Sequence, residues 1–325
     1  MRKTMLKGDY YGMGWQYGEI MKKEGFDLSE PSDKKIILAQ ESEDEIRKYF
    51  PEILDEMRGF SEATGVNYYK VMSLVLTVGV VPSCTCFAAT GHATKDGNTI
   101  FGRNYDMFYS LKKGTETYTT YPKGAYSSIG NTTIFIGRED GINDCGLAVG
   151  LASVQSEGIK PGFIFPLVVR FLLDKCANVD EAVKLATHIP HLKSMTYLLA
   201  DKSGKMAALE VTTNKIHVRR PSSDYIIITN QFQEPQMQKL ETLDERPPDS
   251  PQRYNGVDKL LSSNLGKIDL EFVKGILRDH ESLVCSHIEF IKLGTLWSLI
   301  ASLGERTAWI ADGHPCKTEY QPFSF

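Results

Sequence analysis

Apolar residues recur at helical spacing through the first quarter of the chain and at alternate positions through much of the rest. Pro51 to Ala63 (PEILDEMRGFSEA) sets Ile53, Leu54, Met57 and Phe60 along one helical face. Tyr68 to Val78 follows as a second helix after the break at Gly65, so the first 83 residues read mostly as helix. At Cys84 the texture changes. Cys84 to Ala89 and Thr99 to Asn104 form two strands around a Lys95-Asp96-Gly97-Asn98 turn, with Asp-Gly as the hairpin signal. Thr132 to Gly137 and Gly146 to Ser153 read as another strand pair joined through Asp140-Gly141. Two helices follow, Phe163 to Lys175 and Val179 to His188, the second stopping before Pro190. Strands return at Met195 to Ala200, Met206 to Thr212, Lys215 to Val218 and Tyr225 to Thr229. Ser250 to Ser262 and Asp269 to Leu277 are helical candidates, and the tail alternates in Gly294 to Ala301 and Arg306 to Ala311 and reads as strands. Gln231 to Pro251, rich in Pro, Glu and Asp, is the one long loop. This order suits an α+β fold, two mainly antiparallel sheets stacked between two helical layers; a doubly wound parallel sheet would need strict strand-helix alternation.

Composition narrows the function classes. With 325 residues, 42% of them hydrophobic and 24% charged, the chain can bury an ordinary core in one large domain or two small ones. A net charge of -4 argues against nucleic acid or an anionic membrane as main partner. No apolar run reaches the roughly 18 residues of a membrane span; the longest, Val71 to Pro82, is interrupted by Ser73, Thr77 and Gly79. The N-terminus is basic but has no apolar core of a secretory signal, and six cysteines do not make a disulfide framework in a chain this long, so a cytoplasmic location is expected.

The segment that carries chemistry runs from Ser83-Cys84-Thr85-Cys86 through Asp96-Gly97 to Gly102-Arg103-Asn104-Tyr105-Asp106. A hairpin here brings the end of the return strand back beside Cys84, and with it Arg103 and Asp106. A cation near a thiol lowers its pKa from about 8.5 and raises the thiolate fraction. A carboxylate can hold a protonated amine or the guanidinium in place. On the same reading Cys86 is a core cysteine, and the aromatic stretch Tyr105 to Tyr121 is ordinary packing rather than an acyl pocket.

This arrangement resembles the choloylglycine hydrolase and penicillin acyltransferase superfamily of N-terminal-nucleophile (Ntn) hydrolases, with acid ceramidase more distant. The resemblance spans nearly the whole chain. Met13-Gly14-Trp15-Gln16-Tyr17-Gly18 is similar to the acyltransferase branch's N-terminal M-G-x-x-x-G signature. Phe50-Pro51-Glu52, Glu56-Met57-Arg58-Gly59, Cys84-Thr85 and Gly102 to Asp106 continue it. Asp140-Gly141-Ile142-Asn143, Gly146-Leu147-Ala148-Val149, Thr229-Asn230, Ser250-Pro251-Gln252-Arg253-Tyr254 and Gly294-Thr295-Leu296-Trp297-Ser298 complete it.

The resemblance implies a four-layer αββα Ntn-hydrolase sandwich. Residues 1-83 would be a helical segment that becomes a propeptide or small chain, and 84-325 the catalytic part of one integrated fold. It implies cleavage between Ser83 and Cys84, a freed α-amine as base, and an acyl-thioester on Cys84. Arg103 and Asp106 carry over as the pair positioning amine and thiolate, Asn230 as an oxyanion donor, and Arg253 as an organiser of the site. Bile-salt-cleaving members place an oxyanion asparagine just after the Gly-Leu-Ala-Val strand; here the chain reads Leu151-Ala152-Ser153, so Ser153 or a backbone N–H must substitute. The expected reaction is hydrolysis of a small linear N-acyl amide without cofactor or metal, with acyl transfer to an amine as the alternative and a homo-oligomer left open. Two readings from other classes stand beside it: zinc held by Cys84 and Cys86 together with Cys285 and His287, or an inactive binding protein on the same fold.

Overall fold

The computed structural model describes residues 1-25, 28, 30-76 and 83-325. Among these, the strands are β1 (Arg2–Gly8), β2 (Ser83–Ala89), β3 (Ile100–Phe108), β4 (Glu116–Pro122), β5 (Ser128–Thr132), β6 (Asp140–Asn143), β7 (Leu147–Ala152), β8 (Met195–Asp201), β9 (Met206–Val211), β10 (Ile216–Arg219), β11 (Tyr225–Ile228), β12 (His287–Ile288), β13 (Leu293–Ser302), β14 (Thr307–Ala311) and β15 (Gln321–Ser324). The helices are α1 (Tyr10–Lys23), α2 (Asp33–Tyr49), α3 (Pro51–Thr64), α4 (Tyr68–Leu76), α5 (Phe165–Lys175), α6 (Val179–His188), α7 (Pro235–Gln238), α8 (Ser250–Ser262) and α9 (Leu270–Leu277).

One sheet runs β1-β4-β5-β6-β7-β8-β9-β10, the other β11-β2-β3-β13-β14-β15 with β12 on β13. Apart from the parallel β1/β4 pair, the neighbours are antiparallel. The period-two alternation sorts each strand's side chains between layers. In β7, Leu147, Val149 and Leu151 face helices α1 to α6, while Ala148 and Ala152 face the second sheet. In β2, Cys84, Cys86 and Ala88 lie between the sheets, and Phe87 and Ala89 pack toward α8 and α9. This is the expected αββα sandwich. With both faces covered, its central strands are buried along their whole length.

Local chemistry sets the boundaries. Asn178 caps α6 by accepting from the Glu181 N–H, and Asp269 caps α9 by accepting from the Phe272 N–H. Pro51 opens α3 and Gly65, at φ 77°, ends it. The M-G-x-x-x-G segment acquires a physical reason as well. A Cβ on Gly14 would lie 1.9 Å from the Glu56 carbonyl oxygen, and one on Gly18 would lie 2.6 Å from the Ala63 Cβ. These glycines let α1 and α3 pack backbone to backbone.

The structure differs from the sequence reading in several places, among them the strands β12 and β15, which that reading did not contain. Residues 1-83 are not all helical: β1 pairs with β4 over seven residues, from Arg2 opposite Glu116 to Gly8 opposite Pro122. Both are polar strands inside segments that carry little apolar alternation. Thr132 to Gly137 is not a strand, because Glu139 takes the Thr133 N–H at 2.9 Å and its hydroxyl at 2.8 Å, closing a loop instead of a ladder. Asp140-Gly141 lies in β6, and the turn comes later, where Asn143 Oδ1 accepts from the Cys145 and Leu147 N–H groups. The 231-251 loop contains α7 and buries Phe232 and Met237 against Val154. The end of the helix expected from Tyr68 to Val78 lies outside the described residues.

The N-terminal segment is bound to the rest by its core and by buried charge. Arg170 of α5 pairs with Glu56 of α3 at 3.0 Å and with Asp174 at 2.8 Å, and Asp174 also accepts from the Tyr10 hydroxyl at 2.8 Å. No helix of the described residues is long and apolar enough to cross a membrane.

Candidate active site

The β2/β3 ladder does what the hairpin reading requires: Ser83 stands opposite Asp106, Cys84 opposite Tyr105 and Cys86 opposite Arg103. Cys84 is fully buried, and three of its atoms have partners. Its N–H donates to Asn230 Oδ1 at 2.7 Å. Arg103 Nη2 donates to its Sγ at 3.6 Å. Its carbonyl oxygen accepts from Arg253 Nη1, which also donates to the Thr85 hydroxyl at 3.1 Å.

Each side chain is aimed by its own element. Asn230 follows β11. Its Oδ1 also accepts from Arg253 Nη2 at 2.9 Å, and its Nδ2 donates to the Ser153 carbonyl at 2.9 Å, tying the end of β11 to the end of β7. Arg253 points inward from the first turns of α8, with Asp249 on its Nε at 2.9 Å. That helix start is fixed by the Ser250 hydroxyl donating to Thr229 Oγ1 at 3.1 Å. Ser153 is buried, and its hydroxyl accepts from Gln155 Nε2 at 2.8 Å.

Arg103 and Asp106 do not pair with each other. Three residues apart on one strand, they project to opposite faces. The carboxylate that holds Arg103 is Asp140 of β6, at 2.5 Å, and the guanidinium also donates to the Leu151 carbonyl. Asp106 accepts from the Thr295 hydroxyl at 2.6 Å, and its Oδ2 has no hydrogen-bond partner among the described residues.

Asp140, Trp297 and Thr295 therefore join the candidate site through these contacts; sequence reasoning did not single them out, although all three sit inside the motifs read there. Asp140 Oδ2 also accepts from Trp297 Nε1 at 2.7 Å, and Oδ1 accepts from the Asn131 N–H and Nδ2. Trp297 stacks on Tyr105 with ring centroids 3.9 Å apart, and Arg103 lies over both rings. Tyr105 is thus packed against the Trp297 ring and the Arg103 guanidinium.

Burial dominates the electrostatics. It pushes the Cys84 thiol up to about 11, against the pull of Arg103 and with a further push from Asp106. It raises the Asp106 carboxyl to about 7, against the pull of Arg253 and of the Thr295 hydrogen bond. The Cys84 thiol is accordingly protonated at neutral pH and needs a base to act as a nucleophile. A cavity of about 700 Å³ opens beyond the end of β7, lined by residues such as Ser156, Thr212, Lys215 and Glu241; it touches none of the six candidate residues.

The zinc reading is corrected in its grouping. Cys84 and Cys86 face the inter-sheet core, and Cys285 and His287 converge instead with His280 and Cys316.

Two stacked sheets between helical layers, with a cysteine second in a buried strand, define an N-terminal-nucleophile hydrolase fold. The chain belongs to the acyl-coenzyme A:6-aminopenicillanic acid acyl-transferase family, whose model matches residues 93-317. Among solved structures it is similar to penicillin V acylase from Agrobacterium tumefaciens, at 16% identity and TM-score 0.53, covering 70% of this chain and 83% of that one. It is also similar to a variant of conjugated bile acid hydrolase from Clostridium perfringens, at 15% identity and TM-score 0.51, covering 74% of this chain and 97% of that one. No curated protein sequence matches it.

Proposed function

We propose that the chain is a cysteine-nucleophile amidohydrolase for small linear N-acyl amides, activated by its own cleavage between Ser83 and Cys84. The observation that supports this best is the convergence on one residue: Asn230 on the Cys84 nitrogen, Arg103 on its sulfur and Arg253 on its carbonyl oxygen.

In the continuous chain the Cys84 nitrogen is an amide and cannot take a proton. The sulfur attacks the Ser83 carbonyl carbon, a C–S bond forms as the C–N bond breaks, and the thiol proton ends on the departing nitrogen. Water then cleaves the thioester, leaving a carboxylate on Ser83 and restoring the thiol. The new α-amine has an ordinary pKa of about 7.7-8.0, so its neutral form is a competent base near pH 7. It stays next to Asn230 Oδ1. Two buried cations, Arg103 and Arg253, disfavour its ammonium form, and Asp106 is the carboxylate that steadies the ammonium when it forms.

Catalysis repeats the same exchange on substrate. The amine removes the thiol proton, sulfur attacks the amide carbonyl, and the protonated amine hands its proton to the leaving amine. Water then releases the acid. Asn230 Nδ2 and the Ser153 region serve the oxyanion, which requires an amide hydrogen to turn toward the substrate oxygen. The segment 1-83 remains as a bound small chain, supported by the β1/β4 ladder and the Glu56–Arg170 pair.

Intact-mass analysis tests this directly. Wild type should yield two fragments divided before Cys84, and Cys84→Ala one uncut chain without amidase activity. An uncut wild type with full activity, or an active Cys84→Ala, would sink the proposal; an uncut and inactive wild type would mark a binding protein on this fold. The family match supports one second reading, acyl transfer. Acid release that is replaced by amide formation when amines are added, with no net hydrolysis in their absence, would favour it.

A further inference from the structure

We infer that His280, Cys285, His287 and Cys316 form a structural zinc site that staples three C-terminal segments together beside the candidate active site. Their four ligand atoms lie within 4.8 Å of one another. Within the group, His287 Nε2 is 3.4 Å from Cys285 Sγ and 3.2 Å from Cys316 Sγ. A tetrahedral zinc with Zn–S of about 2.3 Å and Zn–N of about 2.0-2.1 Å sets neighbouring sulfur and nitrogen ligands about 3.6 Å apart. The observed separations are within a few tenths of an ångström of that, and the widest edge needs a contraction of about 1 Å, within reach of side-chain rotation.

The donor set selects the metal. Two thiolates and two neutral imidazoles suit zinc rather than magnesium or calcium, which take oxygen ligands. The two thiolate charges cancel those of Zn²⁺, so the assembled centre is neutral. Binding releases two thiol protons. Four protein ligands close the tetrahedron and leave no position for substrate, so the role is structural.

The ligands come from places that need joining. His280 lies in the turn after α9, Cys285 and His287 flank the entry to β12, and Cys316 lies in the loop between β14 and β15. Cys285 is buried, His287 and Cys316 are half-buried and His280 is exposed, which gives an ion a path from solvent. His314 lies against His287, with ring centroids 3.8 Å apart and the planes tilted by 31°. Between the two ligands of the Cys-x-His pair sits Ser286. Its N–H donates to Thr295 Oγ1 and its carbonyl accepts from the Thr295 N–H, both at 3.1 Å. Thr295 in turn donates to Asp106. The staple therefore holds the residue that orients the Asp106 carboxyl. The inference does not depend on Cys84 being a nucleophile.

The test uses the full chain, purified under reducing conditions without metal-affinity steps, loaded with Zn²⁺ and passed over a chelating resin. About one zinc per chain should remain, and Cys285→Ser/Cys316→Ser should lose it. Co²⁺ in place of Zn²⁺ should give the intense ligand-field bands of a tetrahedral centre and a thiolate-to-cobalt charge-transfer band. Equal metal content in wild type and the double variant would overturn the site. So would a wild-type Co²⁺ spectrum without thiolate charge transfer, or a reduced wild type that retains no zinc. If the double variant fails to fold, the wild-type cobalt spectrum decides alone.

Discussion

Asp140→Asn is the substitution that most sharply probes how the site is held. Both oxygens of Asp140 are fully used: Oδ1 accepts two hydrogen bonds from Asn131, and Oδ2 accepts one from Arg103 and one from Trp297. An asparagine must set its NH₂ group against one of these donor pairs, whichever way it turns. If it faces Asn131, two neutral donors lose their acceptor; if it faces Arg103, the guanidinium does. In both orientations Arg103, fully buried, loses its only ion-pair partner among the described residues. Breaking a buried pair from one side costs about 3-5 kcal/mol. The measurement is best made in a Cys84→Ala background, where one uncut chain unfolds. With m near 3 kcal/mol per M, the urea midpoint should fall by roughly 1 M or more. Adding Arg103→Met should recover part of the loss, with a coupling of about 2 kcal/mol in the double-mutant cycle. With Cys84 present, Asp140→Asn should also slow cleavage, because the guanidinium is no longer pinned 3.6 Å from the sulfur. A loss below about 1 kcal/mol, or a cycle without coupling, would refute the assignment of Asp140 as the anchor of Arg103.

Other expectations follow from the same contacts. The cleaved fragments should co-elute in native gel filtration, and Glu56→Ala, which removes one of the two carboxylates on buried Arg170, should cost about 1.5-3 kcal/mol and release the small chain at lower urea. Gly14→Ala should force α1 from α3 and cost about 1-3 kcal/mol in thermal or urea unfolding; an unchanged midpoint would mean the helices do not meet there. Because burial lifts the Cys84 thiol to about 11, cleavage should accelerate with pH through 7 to 9, and a rate that levels off by pH 7 would point to a different proton acceptor. Asp106 is raised to about 7, above an unfolded value of about 3.9, so the stability it contributes is fully present below pH 4 and is lost as pH rises to 7. In the uncut background this is worth on the order of 4 kcal/mol, and Asp106→Asn should flatten that part of the stability profile measured by urea titration.

The chain's own residue pattern determined the layer order, most helix limits and the strand that carries Cys84. Those features are local: a cap at Asn178, a proline at the head of α3 and period-two burial from Cys84 onward are decided by neighbours in sequence. The same holds for the hairpin that returns Arg103 and Asp106 to Cys84, since antiparallel pairing fixes which residues face one another. Tertiary structure alone decided the rest. Asp140, Trp297 and Thr295 reach the site through bonds between residues 37 to 189 positions apart, and no spacing encodes that. It also redirected Cys285 and His287 away from Cys84 and toward His280 and Cys316. Polar strands such as β1 and β4 form because each completes the other's ladder, and a backbone partner more than a hundred residues away leaves no signature in either segment.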